Sequence, residues 1–195
     1  MALYESNIKV ELREIILKNR PQELYNISPK GTVPVLQLNE HNIIDESLDI
    51  MLWALKKNNS KWIKNQFNYQ MELIKFNDTT FKYFLDRYKY HDRYPEYSQK
   101  YYKEKCDLIL NKYEVKLTYN NFIIGDSEQL VDIAIFPFIR QYAYVDSVSF
   151  EKKFPHLTNW FERLKSSDCF NSVMSKYSLW NKKTPLFINF KKTND

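Results

Sequence analysis

The chain has 195 residues, a formal net charge of +5, 44% hydrophobic and 27% charged residues, and only two glycines, Gly31 and Gly125. A Walker P-loop, a G-x-G-x-x-G turn or a G-x-S-x-G nucleophile elbow each needs two or more closely spaced glycines, so none can be written here. Cys106 and Cys169, with His41, His91 and His156, are too dispersed for zinc, haem or C-x-x-C spacing, which disfavours a metal site and a dithiol redox motif.

No apolar run approaches the roughly eighteen residues of a membrane span. The opening Met-Ala-Leu-Tyr-Glu-Ser-Asn lacks a secretory pattern, and two isolated cysteines make no disulfide framework, so a cytoplasmic location is expected. The 29 basic residues exceed the 24 acidic ones only mildly and along the whole chain, which singles out neither nucleic acid nor an acidic membrane as a partner.

In chain order, Met1 to Ser6 reads as the end of a helix, with Asn7 a left-handed cap. Val10 to Ile16 reads as a strand. Pro21 suits the first position of a short helical turn through Gln22, Glu23 and Leu24, and Ser28-Pro29-Lys30-Gly31 breaks the chain. Val33 to Leu38 and Ile43-Ile44 read as an antiparallel hairpin around Asn39 to Asn42. Leu48, Met51, Leu52 and Leu55 then fall at helical spacing, and the polar run Lys56 to Ser60 ends that helix.

Beyond Ser60 the pattern is helical throughout, with about five helices separated near Tyr94-Pro95, Asn120-Asn121, Ser147 to Pro155 and Ser166 to Asp168. Phe81 to Lys105 interleaves Tyr and Phe with Lys and Arg. That resembles a stacking surface for single-stranded nucleic acid, but Phe81, Phe84, Leu85 and Tyr88 share one helical stripe, which favours ordinary packing between helices.

The chemistry is concentrated in Val33-Pro34, the hairpin that follows and Asp45-Glu46-Ser47 at a helix start. Proline in a strand removes a ladder donor and suggests an edge, a bulge or a cis bond. A helix N-terminus bearing Glu and Ser offers an acceptor for an ammonium group and donors for a carboxylate, which suits an α-amino-acid head group. From the residues alone, the same cluster is simply a helix cap.

On these residues the chain resembles the glutathione transferase family. "KGTVPVLQLNEHNIIDESLDIMLWAL", Lys30 to Leu55, resembles the second half of the family's thioredoxin-like domain, and "ELREIILKNRP" precedes it as in omega-like and bacterial members that use cysteine or serine. "GDSEQLVDIAIFPFIRQYA", Gly125 to Ala143, resembles the buried helix of the all-helical second domain. The resemblance implies an α/β thioredoxin-like domain over residues 1–57 and a helical bundle over 63–195. It implies glutathione as co-substrate, with Glu46 and Ser47 holding the γ-glutamyl end. The backbone of Val33, before a cis-Pro34, would pair with the cysteinyl part, and Arg20 would reach the glycine carboxylate; the other reading of Arg20 is a solvated loop cation. A homodimer is implied too, with a hydrophobic or disulfide acceptor against the first bundle helices at Tyr83, Phe84 and Arg87.

Two departures stand out. The family places Ser or Thr three residues before an Asp in the buried helix; here Gln129 precedes Asp132, so Ser127, Asp126 or Asp132 itself is expected to complete the cap. The family domain also opens with a strand and a loop bearing the catalytic Cys, Ser or Tyr, whereas "MALYESNIKVEL" resembles only the end of the helix after them. The catalytic residue is therefore unassigned, the absent strand would lie between the Val10 and Val33 strands, and an N-terminally shortened sequence is expected. The reading is a glutathione transferase acting by thiolate attack on an electrophile or by thiol exchange; the alternative is a non-catalytic interaction module of the same fold.

Overall fold

Helix α1 (Ala2–Glu5) ends where Asn7 takes φ +50°, the left-handed conformation its short polar side chain tolerates. The computed structural model describes residues 1–189, in two units: Met1–Ser60 together with the chain from Asp168, and Lys61–Ser167. The stretch from Asp168 thus belongs with the first unit and contributes a strand, β4, in a region expected to be helical.

In the first unit β1 is Val10–Leu12, shorter than the expected run to Ile16. Arg13 and Glu14 are exposed, Glu14 carbonyl accepts the Trp180 N–H at 2.8 Å, and Ile16 closes a tight turn by bridging Asn19. Pro21 is the extended N-cap of α2 (Gln22–Ile27) rather than its first residue. The hairpin forms as β2 (Leu36–Gln37) and β3 (Ile43–Ile44), and Asn39 Oδ1 accepts the N–H groups of His41 and Asn42 at 2.9 Å. Then α3 (Ser47–Lys57) buries Ile50, Ala54 and Leu55, while Leu48, Met51 and Leu52 stay half-buried. Helix α10 (Asp168–Val173) touches α1, and β4 (Leu186–Ile188) pairs antiparallel with β1, Val10 opposite Ile188.

The second unit comprises α4 (Phe67–Phe76), a π-helical turn over Asn77–Phe81, α5 (Lys82–Lys89), α6 (Gln99–Leu117), α7 (Leu130–Ala143), α8 (Ser147–Lys153) and α9 (Pro155–Lys165). Breaks occur as expected around Pro95 and Asn121. The expected break over Ser147 to Pro155 is instead α8, which forms because Asp146 Oδ1 caps it by accepting the Ser149 N–H at 3.0 Å. Phe81, Leu85 and Tyr88 are buried, so the aromatic stripe is core; Arg93 lies over the Tyr90 ring and Lys105 over Tyr101.

The missing Ser or Thr before α7 is compensated by Asp132 itself, as expected, and by Gln70, which is remote in sequence. Asp132, fully buried, accepts the Gln129 N–H at 3.0 Å, the Ile123 N–H at 2.9 Å and the Trp160 indole N–H at 2.8 Å. Gln70 Oε1 accepts the Val131 N–H at 3.0 Å, while its amide donates to the carbonyls of Trp62 and Asn65. Glu114 on α6 likewise satisfies the start of α9 by accepting the N–H groups of His156 and Leu157 at 3.0 and 2.7 Å.

Candidate functional site

Hairpin register decides which residues of the first unit come together. Leu36 pairs with Ile44 and Gln37 with Ile43. The pairing ends there, and Val33-Pro34 and Glu46-Ser47 are the stretches that flank the hairpin at its open end, two to three residues beyond the last pair. The Val33-Pro34 peptide bond is cis, and Val33 is 45% exposed. Neither backbone group of Val33 bonds to another described residue, leaving one donor and one acceptor to be satisfied.

Glu46 is the N-cap of α3, with extended backbone, and its side chain makes no capping bond to the helix. Ser47 opens the eleven-residue helix and is exposed. The helix N-terminus adds unpaired backbone N–H groups and the positive end of the dipole. Cation acceptor, hydroxyl and amide donors therefore share one exposed turn.

Lys30 was not anticipated here. Its Nζ donates to Glu46 Oε1 at 2.8 Å and Asp45 Oδ1 at 3.2 Å, and buried Ser28 donates its hydroxyl to Asp45 Oδ2 at 3.1 Å. The hydrogen bond from Lys30, then that from Ser28, holds the Asp45 carboxyl below its ordinary value; the bonds to Glu46 and Asp45 raise Lys30. Gly31, at φ +62°, lets the chain turn from Lys30 into Val33-Pro34, and a Cβ there would lie 2.3 Å from the Tyr25 ring. The signal in sequence was only a lysine in the turn; its meeting with Asp45 and Glu46 comes from the hairpin.

Arg20 lies in the exposed loop before α2 and pairs with no carboxylate among the described residues. In the second unit Tyr83, Phe84 and Arg87 do meet on α5. The Tyr83 and Phe84 rings pack edge to face at 5.2 Å, and the Arg87 guanidinium stacks 3.5 Å from the Tyr83 ring centre and 4.4 Å from that of Tyr94. Arg87 also donates to the Tyr83 carbonyl at 3.3 Å. Cys106 is fully buried and its thiol is pushed up by desolvation, then by the Asp107 charge, the opposite of an activated nucleophile. Cys169 is half-buried, its Sγ 3.8 Å from the Met1 carbonyl oxygen.

Among the described residues no group of three or more His, Cys, Asp or Glu side chains could hold a metal, and no helix is long and apolar enough to cross a membrane.

Residues 1–62 match the family model for the glutathione S-transferase N-terminal domain, and residues 76–168 the model for its C-terminal domain. Glutathione S-transferase F10 of Arabidopsis thaliana is 30% identical over 78 residues; the match covers 40% of this chain and 36% of that relative, little more than a third of its length. The fold is similar to a point mutant of poplar glutathione transferase F1, with a TM-score of 0.73, 18% identity, and 89% of this chain and 88% of that one covered. It is also similar to glutathione transferase URE2P6 from Phanerochaete chrysosporium in complex with oxidized glutathione, with a TM-score of 0.73, 16% identity and coverage of 88% and 86%. The architecture is thus a thioredoxin-like domain with a helical domain.

Proposed function

We propose, for a chain that belongs to the glutathione S-transferase family, that its first unit binds glutathione at the open end of the β2–β3 hairpin. The observation that carries this is the pairing of Leu36 with Ile44, because Val33-Pro34 and Glu46-Ser47 are the stretches that lead away from that pair on its two strands. Glu46 accepts the γ-glutamyl ammonium, and the Ser47 hydroxyl with the α3 amides takes its carboxylate. The free N–H and carbonyl of Val33 pair with the cysteinyl backbone as a strand edge would. Arg20 reaches the glycine carboxylate. The bound thiolate then forms a bond to an electrophilic carbon, whose leaving group departs with its electron pair, or to one sulfur of a disulfide, releasing the other as thiolate. Tyr83, Phe84 and Arg87 contact the acceptor, and the protein works in the cytoplasm as a homodimer.

A second reading is a non-catalytic interaction module. The Lys30 bridge favours it, because an ammonium already occupies the carboxylate that glutathione would use. Titration calorimetry with glutathione, paired with a turnover assay on a chromogenic electrophile, decides between them. Binding that is lost in Glu46→Ala, with turnover, supports the enzyme; binding without turnover supports the module. Absence of binding at millimolar glutathione overturns the site.

A further inference from the structure

Residues 13–20 lead from β1 to Pro21, the N-cap of α2, and Arg20 is the last of them. All are exposed except the half-buried Ile15, so apolar packing does little to fix this loop. Inside it, the Asn19 N–H meets the Ile16 carbonyl at 2.9 Å across a tight turn. Its two ends are held by the C-terminal strap of the same unit. At the start, β4 pairs with β1 as far as Leu186 opposite Leu12, and Trp180 donates its backbone N–H to the Glu14 carbonyl at 2.8 Å. The Arg13 guanidinium lies 5.1 Å from the centre of the half-buried Trp180 ring, and Glu11 grips that guanidinium with two bonds of 3.0 Å. Past the other end, Lys182 forms an ion pair with Glu23 in the first turn of α2. Asn181 then turns the strap into β4, its Oδ1 accepting the Lys183 N–H at 3.0 Å and its carbonyl the Thr184 N–H at 3.1 Å.

We propose that Trp180 and Lys182 are positioning residues for Arg20: they clamp the two ends of its loop and so set how strongly the first unit selects a ligand with a carboxylate at its glycine end. This rests on the glutathione reading, in which Arg20 takes that carboxylate. A loop that orders only when ligand arrives loses affinity to the ordering, whereas one held beforehand keeps it. The Lys182–Glu23 pair is exposed and by itself contributes little. Its effect comes from acting opposite Trp180, because a loop fixed at one end still pivots about that end. Neither side chain is assigned a contact with glutathione; both act through the loop.

The test is titration calorimetry on the whole chain with glutathione and with glutathione amide, in which the glycine carboxylate is a carboxamide, alongside hydrogen exchange at residues 13–20. Wild type should bind glutathione about tenfold tighter than the amide, and Arg20→Ala should erase that preference. Trp180→Ala combined with Lys182→Gln should bind glutathione about fivefold more weakly and the amide as before, with faster exchange at residues 13–20 and no change at 33–47. Lys182→Arg keeps the pair with Glu23 and should retain the preference. Should the double variant fail to fold, Lys182→Gln alone is read the same way, with a loss of about twofold. Equal weakening of both ligands would mark a general defect of the unit and overturns the proposal. Where Arg20→Ala erases the preference and the clamp variants keep it in full, the clamp alone fails. Where wild type shows no preference, or Arg20→Ala leaves it intact, the glutathione reading of Arg20 fails and the proposal with it.

Discussion

Trp160 donates its indole N–H to Oδ1 of Asp132 at 2.8 Å, fastening α9 to the start of α7 through a carboxyl group with no exposed surface. Burial pushes the Asp132 pKa up to about 6, against the hydrogen bonds from Ile123, Trp160 and Gln129. The folded state therefore keeps a proton that the unfolded chain, near 3.8, has released. This contribution to stability is complete below about pH 4 and is lost as pH rises through 6. Urea unfolding from pH 4 to 7 should show the advantage of the wild type over Asp132→Asn shrinking by about 2–3 kcal/mol. A difference that stays constant with pH would sink this account.

Gln70 reaches across 61 residues to accept the Val131 N–H, and also donates to two carbonyls. Gln70→Ala removes the acceptor from the N–H of fully buried Val131 and should cost about 1–3 kcal/mol. Gln70→Glu keeps the acceptor but loses both donations, and its charge is desolvated, so it should unfold at lower urea still. Equal midpoints for wild type and Gln70→Ala would show that water replaces the side chain.

Removing Glu114 uncaps α9 twice over, because His156 and Leu157 both donate to it. Hydrogen bonds to a charged acceptor contribute about 1.5–3 kcal/mol, so Glu114→Ala should lose roughly that much. Faster hydrogen exchange should appear first at residues 156–158. Uniform exchange changes across the unit would argue for a general packing defect instead.

Glu46 and Lys30 should respond in opposite directions. Glu46→Gln removes the charge proposed for the ammonium and should weaken glutathione binding by about tenfold or more. Lys30→Ala frees that carboxylate from an ion pair exposed on both sides, and solvent screens such a pair strongly, so binding should tighten by no more than about fivefold. Calorimetry on both variants checks the pair. Loss of binding in Lys30→Ala would mean that the lysine holds ligand rather than competing with it.

Gly31→Ala places a side chain at φ +62° and against the Tyr25 ring. Tyr25 is 38% exposed and can swing outward, so the cost should come chiefly from backbone strain, about 1 kcal/mol. Adding Tyr25→Ala should then change the penalty little; full rescue by it would show that the contact with the ring dominates.

Features governed by neighbouring residues were legible in the chain itself: the left-handed Asn7, the hairpin turn at Asn39, the breaks near Pro95 and Asn121, and Glu46-Ser47 at a helix start. Backbone conformation and helical spacing act over a few residues, and side-chain type reports them directly. Tertiary structure decided the rest. It gave Lys30 to Glu46, Gln70 to Val131 and Glu114 to α9, and paired β1 with β4. Which polar groups remain to be satisfied is settled only once helices and strands pack and exclude water, and no linear spacing encodes that outcome.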